Sequence, residues 1–130
     1  MALMNKASKV ALDTSMLLSI AQFKVDVFEQ ISRELGKSQF FVIEPVQKEL
    51  LRLSKQGKKL GLQAAIADRL IKLNHAKILK VSEKNADTAL EELGKKGYFI
   101  ATNDKELRKK IKQKNGRIIF IKQKKLIEVD

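Results

Sequence analysis

The sequence predicts an α/β protein with a central, mostly parallel sheet between two layers of helices. Short apolar runs, several rich in β-branched or aromatic residues, alternate with segments of helical periodicity along the whole chain. Right-handed crossovers between such strands place helices on both faces of the sheet. We therefore expect a three-layer α/β/α sandwich, formed by a single domain over residues 1–130.

Five short apolar runs predict the strands of this sheet. They span residues 9–12, 40–43, 78–81, 98–101 and 118–121, and the last is the final strand that the pattern indicates. In an open parallel sheet, ligands bind beyond the carboxyl ends of the strands. Residues that directly follow these runs are therefore the first candidates for a functional site.

Apolar residues at helical spacing predict helices between the strands. One such segment ends at Leu35, where Gly36 is suited to terminate a helix, and another begins at Pro45, a residue favoured in a first turn. The spacing of Leu62, Ile66, Leu70 and Leu73 predicts a further amphipathic helix. Two more helices are predicted, one over residues 86–95 and one around Leu107 and Ile111.

Composition limits the classes of function. The chain has no cysteine and a single histidine, which excludes disulfides, thiolate zinc sites and histidine-based metal centres. No apolar run approaches the roughly 20 residues of a membrane span, and the N-terminus lacks the apolar core of a secretory signal. A net charge of +12 at pH 7 indicates a polyanionic partner. We expect a cytoplasmic protein that does not enter a membrane.

Four carboxylates stand where a site is expected. Asp13 and Asp104 each follow a predicted strand, Asp87 opens a predicted helix, and Glu49 lies one turn into the helix after the second strand. Like charges held close together repel and need a cation to stay ionised, and ligation by oxygen alone favours Mg²⁺ or Mn²⁺. The pattern thus favours metal-assisted phosphodiester chemistry in a basic protein that binds the backbone of a nucleic acid.

Each carboxylate also has a simpler structural explanation. Asp13 is suited to cap the helix that follows it. Asn103 with Glu106 three positions later fits a capping box, which would make Asp104 a first-turn acid. Asp87 has the same explanation, because it also lies near a predicted helix start. Glu49 is spaced to pair with Arg52 on the same helix. These alternatives stay open on the sequence alone.

Taken together, the motifs resemble those of the PIN-domain nucleases. The order is DTS after the first strand, PVQKEL in a middle helix, ADTAL, and then ATNDKEL, and the resemblance covers residues 10–127. It is strongest to the archaeal branch that is similar to small-subunit ribosomal-RNA processing endonucleases. That resemblance implies an acidic pocket that binds Mg²⁺ or Mn²⁺ and cleaves single-stranded RNA.

The resemblance also implies roles for individual residues. Asp13, Glu49, Asp87 and Asp104 match the acidic quartet that holds the metal and catalyses cleavage. Ser15 and Thr102 match the hydroxyl residues that support this quartet. One departure is Thr88, because many members of this branch have a second consecutive Asp at that position.

We interpret the chain as an endoribonuclease of ribosomal-RNA processing, with pre-ribosomal proteins as expected partners and a homodimer as a further expectation. Two alternatives remain. One is a toxin ribonuclease held by an antitoxin. The other is a non-catalytic RNA-binding assembly factor with a degraded site, which Thr88 would favour.

A basic segment is expected to bind the RNA backbone. Residues 105–125 contain ten Lys or Arg residues and one acidic residue, Glu106. With aromatic residues at only 5% of the chain, phosphate contacts rather than base stacking should dominate affinity. The residues predicted to bind RNA are Arg108, Lys109, Lys110, Lys112, Lys122, Lys124 and Lys125.

Overall fold

A computed structural model describes residues 6–83 and 85–130 of the protein. Its strands form one sheet. They are β1 (Ser8–Leu12), β2 (Ser38–Ile43), β3 (Lys77–Leu79), β4 (Phe99–Ala101), β5 (Arg117–Lys122) and β6 (Leu126–Val129). Its helices are α1 (Thr14–Phe23), α2 (Val27–Leu35), α3 (Glu44–Ser54), α4 (Lys58–Leu73), α5 (Ala86–Lys95) and α6 (Lys105–Gln113).

The strands lie in the order β3-β2-β1-β4-β5-β6. All neighbouring pairs are parallel except β5 and β6, which run antiparallel. β1 lies at the centre of the core, and its residues Val10, Ala11 and Leu12 are fully buried. The predicted α/β class with a mostly parallel sheet is therefore confirmed.

The direction of the crossovers places helices on both faces of the sheet. The chain moves from β1 to β2 and β3 through α1 to α4, and then crosses to β4 and β5 through α5 and α6. Right-handed connections in opposite directions lie on opposite faces. Consistent with this, α4 packs against α1 and α3, whereas α5 packs against α6. Within the described residues, no helix is long and apolar enough to cross a membrane.

Three elements differ from the sequence prediction. The strand predicted over 78–81 is β3 and ends at Leu79, and the last strand is β6 rather than the run at 118–121. The sequence pattern does not predict β6, because this strand follows a tight turn in which Gln123 and Lys124 adopt positive φ. Neither residue type is typical of that backbone conformation. Residues 14–23 form a separate helix, α1, which the apolar periodicity does not mark because its own apolar residues are spread over most of its faces.

Helix α4 buries a different face from the one that its large apolar residues predict. The helix exists, but its buried residues are Gly61, Ala64, Ala67 and Ile71. Leu62 and Leu73, which we expected to face the core, remain 63% and 65% exposed. Close packing explains the difference, because α4 lies against both α1 and α3, and three of its four buried residues are small enough to let the helices approach closely.

Candidate active site

A cleft opens at the carboxyl edge of the sheet between β1 and β4. Strand order reverses at this point, since the helix after β1 and the helix after β4 leave toward opposite faces. Such a switch point leaves a crevice in an open α/β sheet. The cleft has a volume of about 310 Å³, and its polar lining consists of Asp13, Thr14, Ser15, Glu49, Asp87 and Asp104.

Asp13 is fixed at the floor of the cleft. It directly follows β1, and its backbone N–H donates to the carbonyl of Ala101 on β4 at 3.0 Å. Its Oδ1 accepts from the backbone N–H of Met16 at 2.9 Å and from the hydroxyl of Ser15 at 2.8 Å. Its Oδ2 accepts from the hydroxyl of Thr102. The side chain is thus both the N-cap of α1 and a buried, immobilised carboxylate.

The hydroxyl of Thr102 connects two of the carboxylates. Thr102 is fully buried at the end of β4, and its Oγ1 accepts from the backbone N–H of Asp104 at 3.0 Å. Asp104 in turn caps α6, because its Oδ1 accepts from the N–H groups of Glu106 at 2.9 Å and Leu107 at 3.3 Å. One oxygen of Asp104 is therefore used in capping, and the carboxylate lies exposed at the rim of the cleft.

Ser15 and Asn103 hold the loop after β4 in place. The hydroxyl of Ser15 accepts from the backbone N–H of Asn103 at 3.1 Å while it donates to Asp13. The side-chain oxygen of Asn103 accepts from the N–H of Ile121 on β5 at 3.0 Å. Asn103 therefore ties the loop to the neighbouring strand rather than capping α6. The predicted capping box with Glu106 is wrong, since Asp104 is the cap.

Glu49 approaches the cleft from α3. Its Oε1 accepts from the hydroxyl of Thr14 at 2.6 Å, and its Oε2 lies 3.8 Å from the guanidinium of Arg52. The structure thus contains the expected pair with Arg52, but it also directs Glu49 toward α1. Thr14 and Asn103 were not predicted to belong to the site, and the signal for them in the sequence is their position beside Asp13 and Asp104.

Asp87 completes the lining from the first turn of α5. Asn85 is the N-cap of this helix, and its side-chain oxygen accepts from the N–H of Asp87 at 2.8 Å. Thr88, the position at which the sequence departs from the motif resemblance, is exposed and is not part of the cleft lining. The four acidic residues predicted from the sequence are therefore the carboxylates of this lining.

The carboxylates of the cleft influence one another electrostatically. Burial is the main cause that raises the pKa of Asp13 above its ordinary value of 3.8, and the nearby charge of Asp104 adds to it. Hydrogen bonds from Thr102, Met16 and Ser15 act in the opposite direction. The pKa of Asp87 is also raised, first by partial burial and then by Asp104, while Lys110 lowers it. A cation in the cleft would oppose this repulsion.

The donor chemistry of the cleft fits a hard divalent cation. All of its candidate ligands are carboxylate or hydroxyl oxygens, the type that Mg²⁺ and Mn²⁺ prefer. Across residues 6–83 and 85–130, however, no three Asp, Glu or His side chains lie close enough together to hold one ion as they stand. The four carboxylates surround the cleft without converging on a point.

The residues predicted to bind RNA fall into two regions. The β5–β6 turn lies at the same sheet edge as the cleft, and it contains Lys124, whose ammonium group is 5.6 Å from the ring centre of Phe23. Lys122 pairs with Glu128 at 3.3 Å beside this turn. Lys125 belongs to the same turn.

Helix α6 carries the other predicted basic residues along its length. Arg108 lies near its start, with its guanidinium 4.2 Å from the ring centre of Phe120, and Lys110 is close enough to Asp87 to affect its pKa. Lys109 is exposed. Lys112 pairs with Asp130 at 3.4 Å, near the amino end of β5 and away from the cleft.

Comparison with known proteins agrees with this architecture. The sequence profile of the family described as PIN like domain matches residues 10–124. Ribonuclease VapC9 of Archaeoglobus fulgidus is 32% identical over 97% of this chain and 92% of that protein. Ribonuclease VapC4 of Methanocaldococcus jannaschii is 31% identical over 93% of this chain and 95% of that protein. The chain therefore belongs to the PIN-like domain family, as the motifs predicted.

A solved structure shows the same fold. The PIN domain endonuclease Utp24 superposes with a TM-score of 0.78 at 26% sequence identity, covering 94% of this chain and 90% of that one. The resemblance thus extends over nearly the whole chain rather than only the cleft.

Proposed function

We propose that this protein is a divalent-metal-dependent endoribonuclease that cleaves single-stranded RNA at the cleft between β1 and β4. The observation that carries the proposal is that Asp13, Glu49, Asp87 and Asp104 all line one cleft at the switch point of the sheet. Relatives that align over nearly the whole chain are named ribonucleases, and the structural neighbour is named an endonuclease.

Electrostatics explains why such a site would depend on a metal. An RNA phosphate and a set of carboxylates repel each other, so the phosphate approaches only if a cation lies between them. A divalent ion held by Asp13 and Asp104, with Glu49 and Asp87 completing the site, would activate water and neutralise charge that develops on the phosphate. Mg²⁺ and Mn²⁺ are the ions that this donor set favours.

The residues around the cleft supply rigidity. Three hydrogen bonds fix Asp13, and Thr102 couples the position of that side chain to the backbone of Asp104. Thr14 restrains Glu49 from the opposite side. A preorganised set of ligands raises the rate because little reorganisation is needed during reaction. Water would form the new bond to phosphorus while the bond to the 3′ oxygen breaks, leaving a 5′-phosphate and a 3′-hydroxyl.

The basic turn between β5 and β6 would hold the RNA backbone beside the carboxylates. Lys122, Lys124 and Lys125 project from the same edge of the sheet as Asp13 and Asp104. Phosphate contacts fix a nucleic acid without reading its sequence. Selection of the target would then depend on RNA shape or on a partner protein.

Two biological settings are supported to a similar degree. The motif resemblance to ribosomal-RNA processing endonucleases, together with the structural likeness to the endonuclease Utp24, supports processing of ribosomal-RNA precursors, and pre-ribosomal proteins would then be its partners. The likeness to VapC9 and VapC4 supports a toxin ribonuclease held by an antitoxin. A small gene that lies beside this one and encodes a binding inhibitor would decide for the toxin. Specific cutting of a ribosomal-RNA precursor by the isolated protein would decide for processing.

Cleavage of an end-labelled single-stranded RNA tests the activity directly. We expect cleavage by the wild type in Mn²⁺ or Mg²⁺, none after chelation, and a fall of at least about a hundredfold for Asp104→Asn, since removing a ligand removes several kcal/mol of transition-state stabilisation. Glu29→Gln is the matched control, because Glu29 is an exposed acid on α2 that pairs with Arg33 outside the cleft. Tight RNA binding without any metal-dependent cleavage would instead favour the non-catalytic assembly factor.

A further inference from the structure

Helix α4 presents a second apolar face, opposite to the one that it buries. Leu62, Ile66 and Leu73 are 63%, 38% and 65% exposed, respectively. At about 3.6 residues per turn these three positions fall on one narrow stripe, on the far side of the helix from Ala64, Ala67 and Ile71. The stripe extends about 16 Å along the helix axis, from Leu62 to Leu73.

Packing inside the protein does not account for this stripe. On the inward side, a Cβ added at Gly61 would lie 3.3 Å from the carbonyl oxygen of Leu53, so α3 and α4 are already in close contact. The outward leucines contribute nothing to that contact, and no described residue of the chain covers Leu62 or Leu73. An exposed row of large apolar side chains that is rimmed by polar residues is typical of a protein interaction surface.

The apolar surface continues beyond the end of α4. A groove of about 400 Å³ lies between the C-terminal ends of α1 and α4, and its apolar lining is formed by Ile20, Val25, Leu70 and Leu73. Leu73 belongs to both the stripe and the groove. The two together form an elongated surface of the kind that receives one face of an amphipathic helix.

The charges around the stripe indicate the kind of partner. Lys58, Lys59, Arg69 and Lys72 are all exposed on α4. Asp68 is the single acidic residue of this helix, its side chain is only 18% exposed, and it pairs with Lys72 at 3.2 Å. A second copy of this chain would place the same basic rim against itself, and such like charges oppose association. An acidic partner would complement the rim.

We propose that the outer face of α4 is the docking site for an acidic amphipathic helix from a different protein. Apolar side chains of that helix would cover Leu62, Ile66 and Leu73, and its flanking carboxylates would lie against Lys58 and Arg69. The surface is separate from the acidic cleft, none of whose lining residues belongs to α4. The inference therefore stands apart from the proposed ribonuclease activity.

Fluorescence anisotropy with two synthetic helical peptides tests this site. Both probes have leucines at helical spacing, one with glutamate flanks and the other with lysine flanks. We expect the glutamate peptide to bind the wild type at least about tenfold more tightly than the lysine peptide. Replacing Leu62, Ile66 and Leu73 together by Gln should weaken its binding by at least about tenfold. Because these side chains are exposed, the fold should persist, as the circular dichroism spectrum will show.

Two further variants separate this surface from general stickiness. Leu126→Gln is the matched control, since Leu126 is 64% exposed but lies on β6, and it should leave peptide binding unchanged. Lys58→Glu with Arg69→Glu should reverse the preference between the two peptides. The proposal is overturned if the glutamate peptide does not bind, or if the triple variant binds it as the wild type does. A wild-type dimer that the triple variant converts to a monomer would also overturn it, because the occupant would then be a second copy.

Discussion

Replacing Thr102 by Val would remove one hydroxyl that serves two carboxylate residues at once. Thr102 is fully buried, donates to Oδ2 of Asp13 and accepts from the backbone N–H of Asp104. Valine has nearly the same shape, so packing around the site should change little. The variant therefore isolates the contribution of the two hydrogen bonds.

The expected loss of stability follows from the character of these bonds. A hydrogen bond to a charged group, such as the one from Thr102 to the Asp13 carboxylate, contributes about 1.5–3 kcal/mol to stability. The backbone N–H of Asp104 would lose its acceptor, which costs about 1 kcal/mol for a partly buried amide. We therefore expect Thr102→Val to lower the free energy of unfolding by about 3 kcal/mol at neutral pH. Proteins of this size are stable by only about 5–15 kcal/mol, so such a decrease is easily measured.

The decrease should depend on pH in a defined direction. The pKa of Asp13 is raised in the folded protein, so stability is lost as pH rises through that value, and the bond from Thr102 limits the rise. Without the hydroxyl the pKa of Asp13 rises further. The difference between variant and wild type should therefore be large at neutral pH and smaller below the folded pKa, where Asp13 is protonated in both.

Urea unfolding at about pH 7 and at about pH 3.5, which lies below even the ordinary carboxyl pKa of 3.8, measures both quantities. Thr88→Val is the matched control, because Thr88 is an exposed threonine outside the cleft, and its effect should stay within about 0.5 kcal/mol. A cost for Thr102→Val no larger than that of this control would refute the reasoning. A cost that is equal at the two pH values would exclude the role assigned to ionised Asp13.

Two further predictions concern the cleft and the basic turn. Asp13→Asn should raise the melting temperature of the metal-free protein, since it removes a buried charge near Asp104, yet it should abolish the rise that Mn²⁺ causes in the wild type. The stabilisation of the folded wild type behind that rise is about 2.7 kcal/mol when Mn²⁺ is at about 100 times its Kd. Thermal melts with and without Mn²⁺ measure it, and a wild type that shows no rise would contradict the site. Replacing Lys124 and Lys125 by Gln should reduce the slope of log K against log salt for single-stranded RNA by about 0.7 for each phosphate that is no longer neutralised. Lys112 was also predicted from the sequence to bind RNA, but it pairs with Asp130 away from the cleft, so we now expect Lys112→Gln to leave the slope unchanged. Equal slopes in the wild type and both variants would exclude the turn from RNA binding.

The sequence was informative where local pattern determines structure. The strand ends that position Asp13 and Asp104 are marked by buried apolar runs, and both residues sit where the parallel-sheet rule places a ligand site. Asp87 and Glu49 lie beside Asp13 and Asp104 because of the order of the strands in the sheet. Strand order is a property of the tertiary structure, so the apolar periodicity does not predict it. The motif resemblance did indicate it.

Errors arose where tertiary packing overrides local pattern. In α4, the helical periodicity of the large apolar residues Leu62 and Ile66 suggested a core face, yet contact with α1 and α3 buries the small residues Ala64 and Ala67 instead. At the loop after β4, Asn103 and Asp104 are both good caps, and the choice between them depends on the N–H of Ile121, which is distant in sequence. Neither outcome could be obtained without the positions of neighbouring elements.

The most direct test of the proposed metal site is anomalous diffraction from crystals of the wild-type protein soaked in Mn²⁺. We predict an anomalous peak in the cleft within ligation distance of Asp13 and Asp104, and no peak there in crystals of Asp104→Asn grown under the same conditions. A wild-type cleft without a peak at saturating Mn²⁺, or a peak that persists unchanged in the variant, would contradict the site.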